Sequence, residues 1–118
     1  MEKLYRLKQF IAILHSFDGD RQKSHAHTLE INCTVKTDAP IIDYRLVESN
    51  IKRCLDKYEN KYLNDFESMK EDATIENFGA VLCGEIDTAL NKINYHMTRF
   101  EIGETPLRIY TITDELRD

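Results

Sequence analysis

The chain has no tryptophan, only two prolines and only four glycines in 118 residues. Such sparse punctuation excludes collagen-like and Pro/Gly-rich low-complexity chains, and leaves most of the sequence free to form regular elements. Its three cysteines, Cys33, Cys54 and Cys83, are odd in number, widely spaced and without a CxxC pair. That excludes a disulfide framework and predicts reduced thiols in a cytoplasmic protein. No apolar run approaches the roughly 20 residues of a membrane span, and MEKLYRLKQF is too charged for a signal peptide. Lysine and arginine number 16 against 21 acids, a net charge of −5, and no basic cluster offsets it locally. A nucleic-acid surface is therefore not expected. What is present, 42% hydrophobic and 31% charged residues, suits one globular domain over 1–118 with a core that needs no staples.

Residues 4–14 (LYRLKQFIAIL), rich in aromatic and β-branched side chains, predict a strand ending near His15. The loop SFDGDRQKS follows. From His25 to Lys36 the odd positions carry His25, His27, Leu29, Ile31, Cys33 and Val35, and the even ones Thr28, Glu30, Asn32 and Thr34. This period of two predicts a half-buried strand with both histidines on its apolar face. Asp43 can cap a helix over about 44–58, whose apolar positions are Leu46/Val47, Ile51, Cys54/Leu55 and Tyr58. A polar connection leads to Thr74, a good N-cap, with Glu76 in the first turn where a carboxylate favours the helix dipole. Phe78, Val81/Leu82, Ile86, Ala89/Leu90 and Ile93 give the second helix its apolar face. HMTRFEIGE and LRIYTIT, separated by Pro106, read as two more strands. The order β-β-α-α-β-β predicts an α+β fold: a four-stranded antiparallel sheet with two helices on one face. Its open edges make self-assembly plausible.

His25 and His27 lie on one strand face, roughly 6.6 Å apart. Both imidazoles could reach a single ion at about 2.0–2.1 Å, with His15 as a third ligand if the first two strands pair as a hairpin. Three protein ligands without a fourth is the pattern of a catalytic zinc. Hydrogen-bonded strand-end histidines account for the spacing equally simply. His96 has no partner at ligand spacing and reads as a strand-entry residue.

Several short motifs then occur in a characteristic order. They are Phe10 to His15 (F-x-x-x-x-H), His25-Ala26-His27, Asp43-Tyr44, Leu63-Asn64, Thr74-Ile75-Glu76-Asn77 and Glu104-Thr105. Together they resemble the 6-pyruvoyl-tetrahydropterin synthase / 6-carboxytetrahydropterin synthase family, which has the T-fold, over nearly the whole chain. The resemblance implies Zn2+ held by His15, His25 and His27. It implies that Glu104 anchors a pterin, assisted by Thr105: a carboxylate offers two coplanar acceptors to the ring N–H and the exocyclic amine. It also implies a lyase-type reaction on the side chain of a dihydropterin such as 7,8-dihydroneopterin triphosphate, with queuosine-type pterins fitting the same anchor. A homo-oligomer, trimer or hexamer, with active sites between subunits would follow. Thr74 and Glu76 have a capping explanation that needs no ligand.

The chain departs from the family at two catalytic positions. Arg21 stands where a cysteine is usual, four residues before the first histidine of the pair. In Tyr58-Glu59-Asn60-Lys61-Tyr62-Leu63-Asn64, Glu59 and Asn60 replace an Asp-His pair. Asparagine cannot exchange a proton near neutral pH, so the usual relay is missing. Asp18 or Asp20 in the shortened loop, Glu59, and a metal-bound hydroxide are the candidate stand-ins. Two readings follow: a zinc-dependent pterin enzyme with altered acid–base residues, or a homologue that binds zinc and pterin without turnover. A third is a subunit that complements an active paralogue.

Overall fold

In strand β1, Tyr5–His15, side chains alternate between the core and the opposite face of the sheet. Leu7, Ile11, Ile13 and His15 are buried, while Arg6, Lys8, Phe10 and Leu14 are exposed. A computed structural model of the chain describes residues 1–114; positions 115–118, the end of the single domain expected from the sequence, lie outside the described residues. Strand β2, His25–Lys36, pairs antiparallel with β1 from Tyr5↔Val35 to His15↔His25. Strand β3, His96–Thr105, lies on the other side of β2, and β4, Arg108–Thr113, closes the sheet in the order β1-β2-β3-β4. Gly103 sits where the β3–β4 ladder shifts register. A Cβ there would stand 2.8 Å from the Arg108 carbonyl oxygen, so the tight hairpin carrying Glu104 requires glycine.

Helix α1, Tyr44–Asp56, is capped by Asp43, which accepts the Leu46 N–H at 3.2 Å, and buries Val47, Ile51 and Leu55. It ends two residues earlier than the periodicity predicts. Tyr58 lies in the turn beyond, 2% exposed, and its hydroxyl donates to Glu85 at 2.5 Å. Thr74 caps helix α2, Ile75–Asn91, by accepting the Asn77 N–H, and Phe78, Leu82, Ile86 and Leu90 enter the core. Both helices cover the sheet face that carries Ile11, Ile31, Cys33 and Phe100. The expected α+β arrangement, a four-stranded antiparallel sheet with two helices, is therefore the observed one. Among the described residues no helix is long and apolar enough to cross a membrane.

The polar connection between the helices is more ordered than its sequence suggests. It contains two short 3-10 turns, Leu63–Asp65 and Glu67–Met69, and buries Leu63, Asn64, Met69 and Ala73. It also docks on the outer edge of β1, where Asn60 N–H donates to the Ala12 carbonyl (2.7 Å) and Leu14 N–H to the Lys61 carbonyl (2.9 Å). That edge is thus covered near the histidines.

Cys33 is completely buried, and burial pushes its thiol up to about 12. A thiol so protonated is a poor nucleophile. Iodoacetamide followed by mass spectrometry is expected to leave Cys33 unmodified in the native protein and to modify it in denaturant. Native labelling of Cys33 would contradict the packing described.

Candidate functional site

The β1–β2 hairpin register sets His15 at the end of one strand directly against His25 at the start of the next, with His27 two residues further on the same face. Ring centroids lie 4.5 Å apart for His15–His25, 5.1 Å for His15–His27 and 4.8 Å for His25–His27. One nitrogen from each of the three lies within 4.8 Å of the others. The structure therefore brings together the three histidines that the sequence singled out.

His15 defines the chemistry of the cluster. Its ring is buried, and Nδ1 donates to the Ala73 carbonyl at 2.6 Å, which assigns the proton to Nδ1. Nε2 is then an unprotonated acceptor, buried and without a hydrogen-bond partner among the described residues. Burial lowers its pKa below the usual value; the Ala73 hydrogen bond opposes the shift, and His25 and His27 add to it. A buried acceptor left unpaired costs about 1–3 kcal/mol. A metal ion would satisfy it, and a ligand histidine held by a backbone carbonyl through its other nitrogen is the usual supporting arrangement. His25 has a similar contact, its Nδ1 lying 3.3 Å from the Lys23 carbonyl. The donor set fits a divalent ion such as zinc.

Glu104, at the end of β3, approaches this cluster: its Oε2 lies 3.6 Å from His27 Nε2, and its side chain is 30% exposed. Beside it opens a cavity of about 590 Å³ lined by Phe17, Glu76, Glu104, Thr105, Arg108 and Tyr110, among others. That volume is in the range of small-molecule sites. Phe17 joins the cavity to the histidines, its ring lying 5.3 Å from that of His15 and 5.4 Å from that of His25. Sequence reasoning passed over Phe17; an aromatic residue in an otherwise polar loop was the available signal. Glu76, read as a dipole partner, and Thr74, whose hydroxyl is engaged in its cap, also line the cavity.

The other candidates go elsewhere within the chain. Asp20 accepts the Gln22 N–H at 3.0 Å and so caps the short 3-10 turn Arg21–Lys23. Asp18 pairs with Lys23 at 3.3 Å. Arg21 pairs with Asp65 at 2.7 Å, and its guanidinium stacks 4.3 Å above the Tyr62 ring. Glu59 accepts the Ala12 N–H at 2.8 Å, beside Gln9, Phe10 and Lys52 rather than beside the histidines. Asn60 adopts φ 60°, a left-handed conformation that asparagine tolerates better than most residues. Phe10 is 62% exposed, on the sheet face opposite His15. His96 pairs with Asp114 at the other end of β3, away from Glu104.

A sequence profile of the 6-pyruvoyl tetrahydropterin synthase family matches residues 4–115. The chain belongs to this family. By fold it is similar to 6-pyruvoyl tetrahydropterin synthase from Caenorhabditis elegans, with a TM-score of 0.78, 16% identity and coverage of 94% of each chain. The synthase from Plasmodium falciparum is similar at TM-score 0.62 and 14% identity, covering 94% of this chain and 98% of that one. An uncharacterized protein from Wolinella succinogenes has a TM-score of 0.63 at 10% identity, covering 97% of this chain and 100% of that one. No curated protein matches by sequence. At these identities the structural likeness bears on the fold alone, and it identifies the sheet and helices as the T-fold of the family.

Proposed function

We propose that the chain is a zinc-dependent pterin enzyme of the 6-pyruvoyl-tetrahydropterin / 6-carboxytetrahydropterin synthase type, acting on the side chain of a dihydropterin. The observation that carries this reading is the buried, partnerless Nε2 of His15 inside a three-histidine cluster, next to a carboxylate and an open cavity. His15, His25 and His27 would hold the ion. Zinc, when bound, supplies a Lewis acid that polarises an oxygen ligand and lowers its pKa. Glu104 would anchor the pterin by accepting from its ring N–H and amine, with Thr105 beside it and Phe17 forming the wall toward the metal. The acid–base group is proposed to be a carboxylate, Asp20 or Glu59. Because Glu59 lies apart from the histidines of its own chain, its use requires a neighbouring subunit. That agrees with a homo-oligomer, trimer or hexamer, with sites at subunit interfaces. Three cysteines without a CxxC pair favour a cytoplasmic setting.

One observation favours the second reading, binding without turnover. Arg21 is committed to Asp65 and Tyr62, and Asn60 to a backbone turn, so neither position moves a proton. Incubating zinc-loaded protein with 7,8-dihydroneopterin triphosphate, or with 6-substituted dihydropterins, separates the two readings. The enzyme reading predicts a new pterin by chromatography and absorbance. Unchanged pterins that nonetheless bind in calorimetry would replace it with the binding reading.

A further inference from the structure

We infer that Asn64 is a positioning residue for the metal centre, a clamp that fixes the His15 ring without touching it. This inference rests on the proposed metal site. Asn64 is 7% exposed and uses its whole amide on backbone groups. Its Oδ1 accepts the Ser16 N–H at 3.0 Å, while its Nδ2 donates to the Ser16 carbonyl at 2.9 Å and to the Lys70 carbonyl at 3.1 Å. Ser16 is the residue covalently next to His15. Lys70 lies three residues before Ala73, whose carbonyl takes the His15 Nδ1 proton at 2.6 Å.

One side chain thus ties together the two backbone segments that determine where the His15 ring sits. The first, at the end of β1, carries the ring. The second, after the turn Glu67–Met69, holds its outer nitrogen. Between them the ring is held with Nε2 toward His25 and His27. No other residue type of this size can do the same. A carboxylate keeps the acceptor for Ser16 N–H but sets its other oxygen against two carbonyl oxygens, and leucine satisfies none of the three groups. The loop before β2 leans on the same point, since a Cβ at Gly19 would lie 2.9 Å from the Lys70 carbonyl oxygen.

Groups supporting a metal ligand typically change metal affinity 10–100-fold when removed. The test is zinc and cobalt affinity by chelator competition, with the cobalt visible spectrum recorded alongside, for wild type, Asn64→Ala, Asn64→Asp and Ser16→Ala. Ser16→Ala removes the hydroxyl contact with Tyr62 (2.8 Å) but leaves every backbone group that Asn64 grips. The clamp predicts a 10–100-fold loss and an altered cobalt spectrum in both Asn64 variants, with Ser16→Ala within about threefold of wild type. Wild-type affinity in Asn64→Ala overturns the clamp, and so does an equal loss in Ser16→Ala. Wild-type protein that binds neither ion overturns the metal-site reading instead, which separates the two failures. Should Asn64→Ala and Asn64→Asp not fold, Asn64→Ser, which keeps one hydroxyl in place of the amide, is expected to lose affinity to a smaller extent. Unchanged affinity in Asn64→Ser would overturn the clamp.

Discussion

Replacing Glu104 with alanine is expected to lower pterin affinity by about 100-fold or more, measured by calorimetry on zinc-loaded protein. A carboxylate accepting two coplanar hydrogen bonds makes interactions worth about 1.5–3 kcal/mol each when one partner is charged. Two such bonds set an upper range of about 3–6 kcal/mol, and every 1.4 kcal/mol is tenfold. The Glu104 side chain is 30% exposed, so water screens part of that energy and the lower end of the range is expected. Glu104→Gln should lose nearly as much. Its amide retains one acceptor but turns an NH2 group toward a pterin donor, which leaves two donors facing each other. The loss should appear with metal affinity little changed, because the carboxylate stands beside His27 rather than inside the histidine set. Unchanged pterin affinity in Glu104→Ala would remove the anchor from the account.

The second large effect concerns the metal. Zinc at about 1,000 times its dissociation constant should stabilise the native protein by about 4 kcal/mol, provided the unfolded chain binds it weakly. For a chain of this length that corresponds to a rise in Tm of roughly 15 °C. His25→Ala should abolish the rise. His25 is half-buried at the start of β2, so its loss should leave the metal-free fold intact. His15→Ala should abolish it as well, while also removing the Ala73 hydrogen bond from a fully buried position. Thermal melts with zinc and with chelator decide the matter. A zinc-dependent rise that survives both substitutions would move the metal elsewhere.

Where one period governs one face, the fold was readable from the sequence. The odd positions of β2 enter the core from Leu29 to Val35, and the Asp43 and Thr74 caps stand where their side chains require a helix to begin. The histidine cluster was readable for the same reason: residues i and i+2 share a face, and a hairpin brings its two ends together. The stretch between Tyr58 and Ala73 was not. Leu63 and Met69 are buried there without any helical or strand period, because the segment is placed by docking on β1 and on helix α2 rather than by a repeat of its own. Helix α1 ends at Asp56 for a related reason: Tyr58 is drawn into the core from a turn. Two even-numbered β2 residues, Asn32 and Thr34, are buried although their alternation predicts exposure. Beside them Glu101 is shielded by Arg6, which donates to it at 3.0 Å, so long side chains folded over the sheet hide what the pattern leaves open. Phe17 and the Asn64 amide were missed because their roles depend on residues distant in the chain: Asn64 grips Ser16, 48 positions away, and Phe17 shares its cavity with Glu104 and Tyr110.

The central claim is that His15, His25 and His27 together hold zinc beside a pterin pocket. Zinc K-edge X-ray absorption of the zinc-loaded protein tests it most directly. The account predicts three imidazole nitrogens at about 2.0–2.1 Å, reduced in number when His25 is replaced by alanine. A sulfur scatterer near 2.3 Å, or an imidazole count unchanged in that variant, would contradict it.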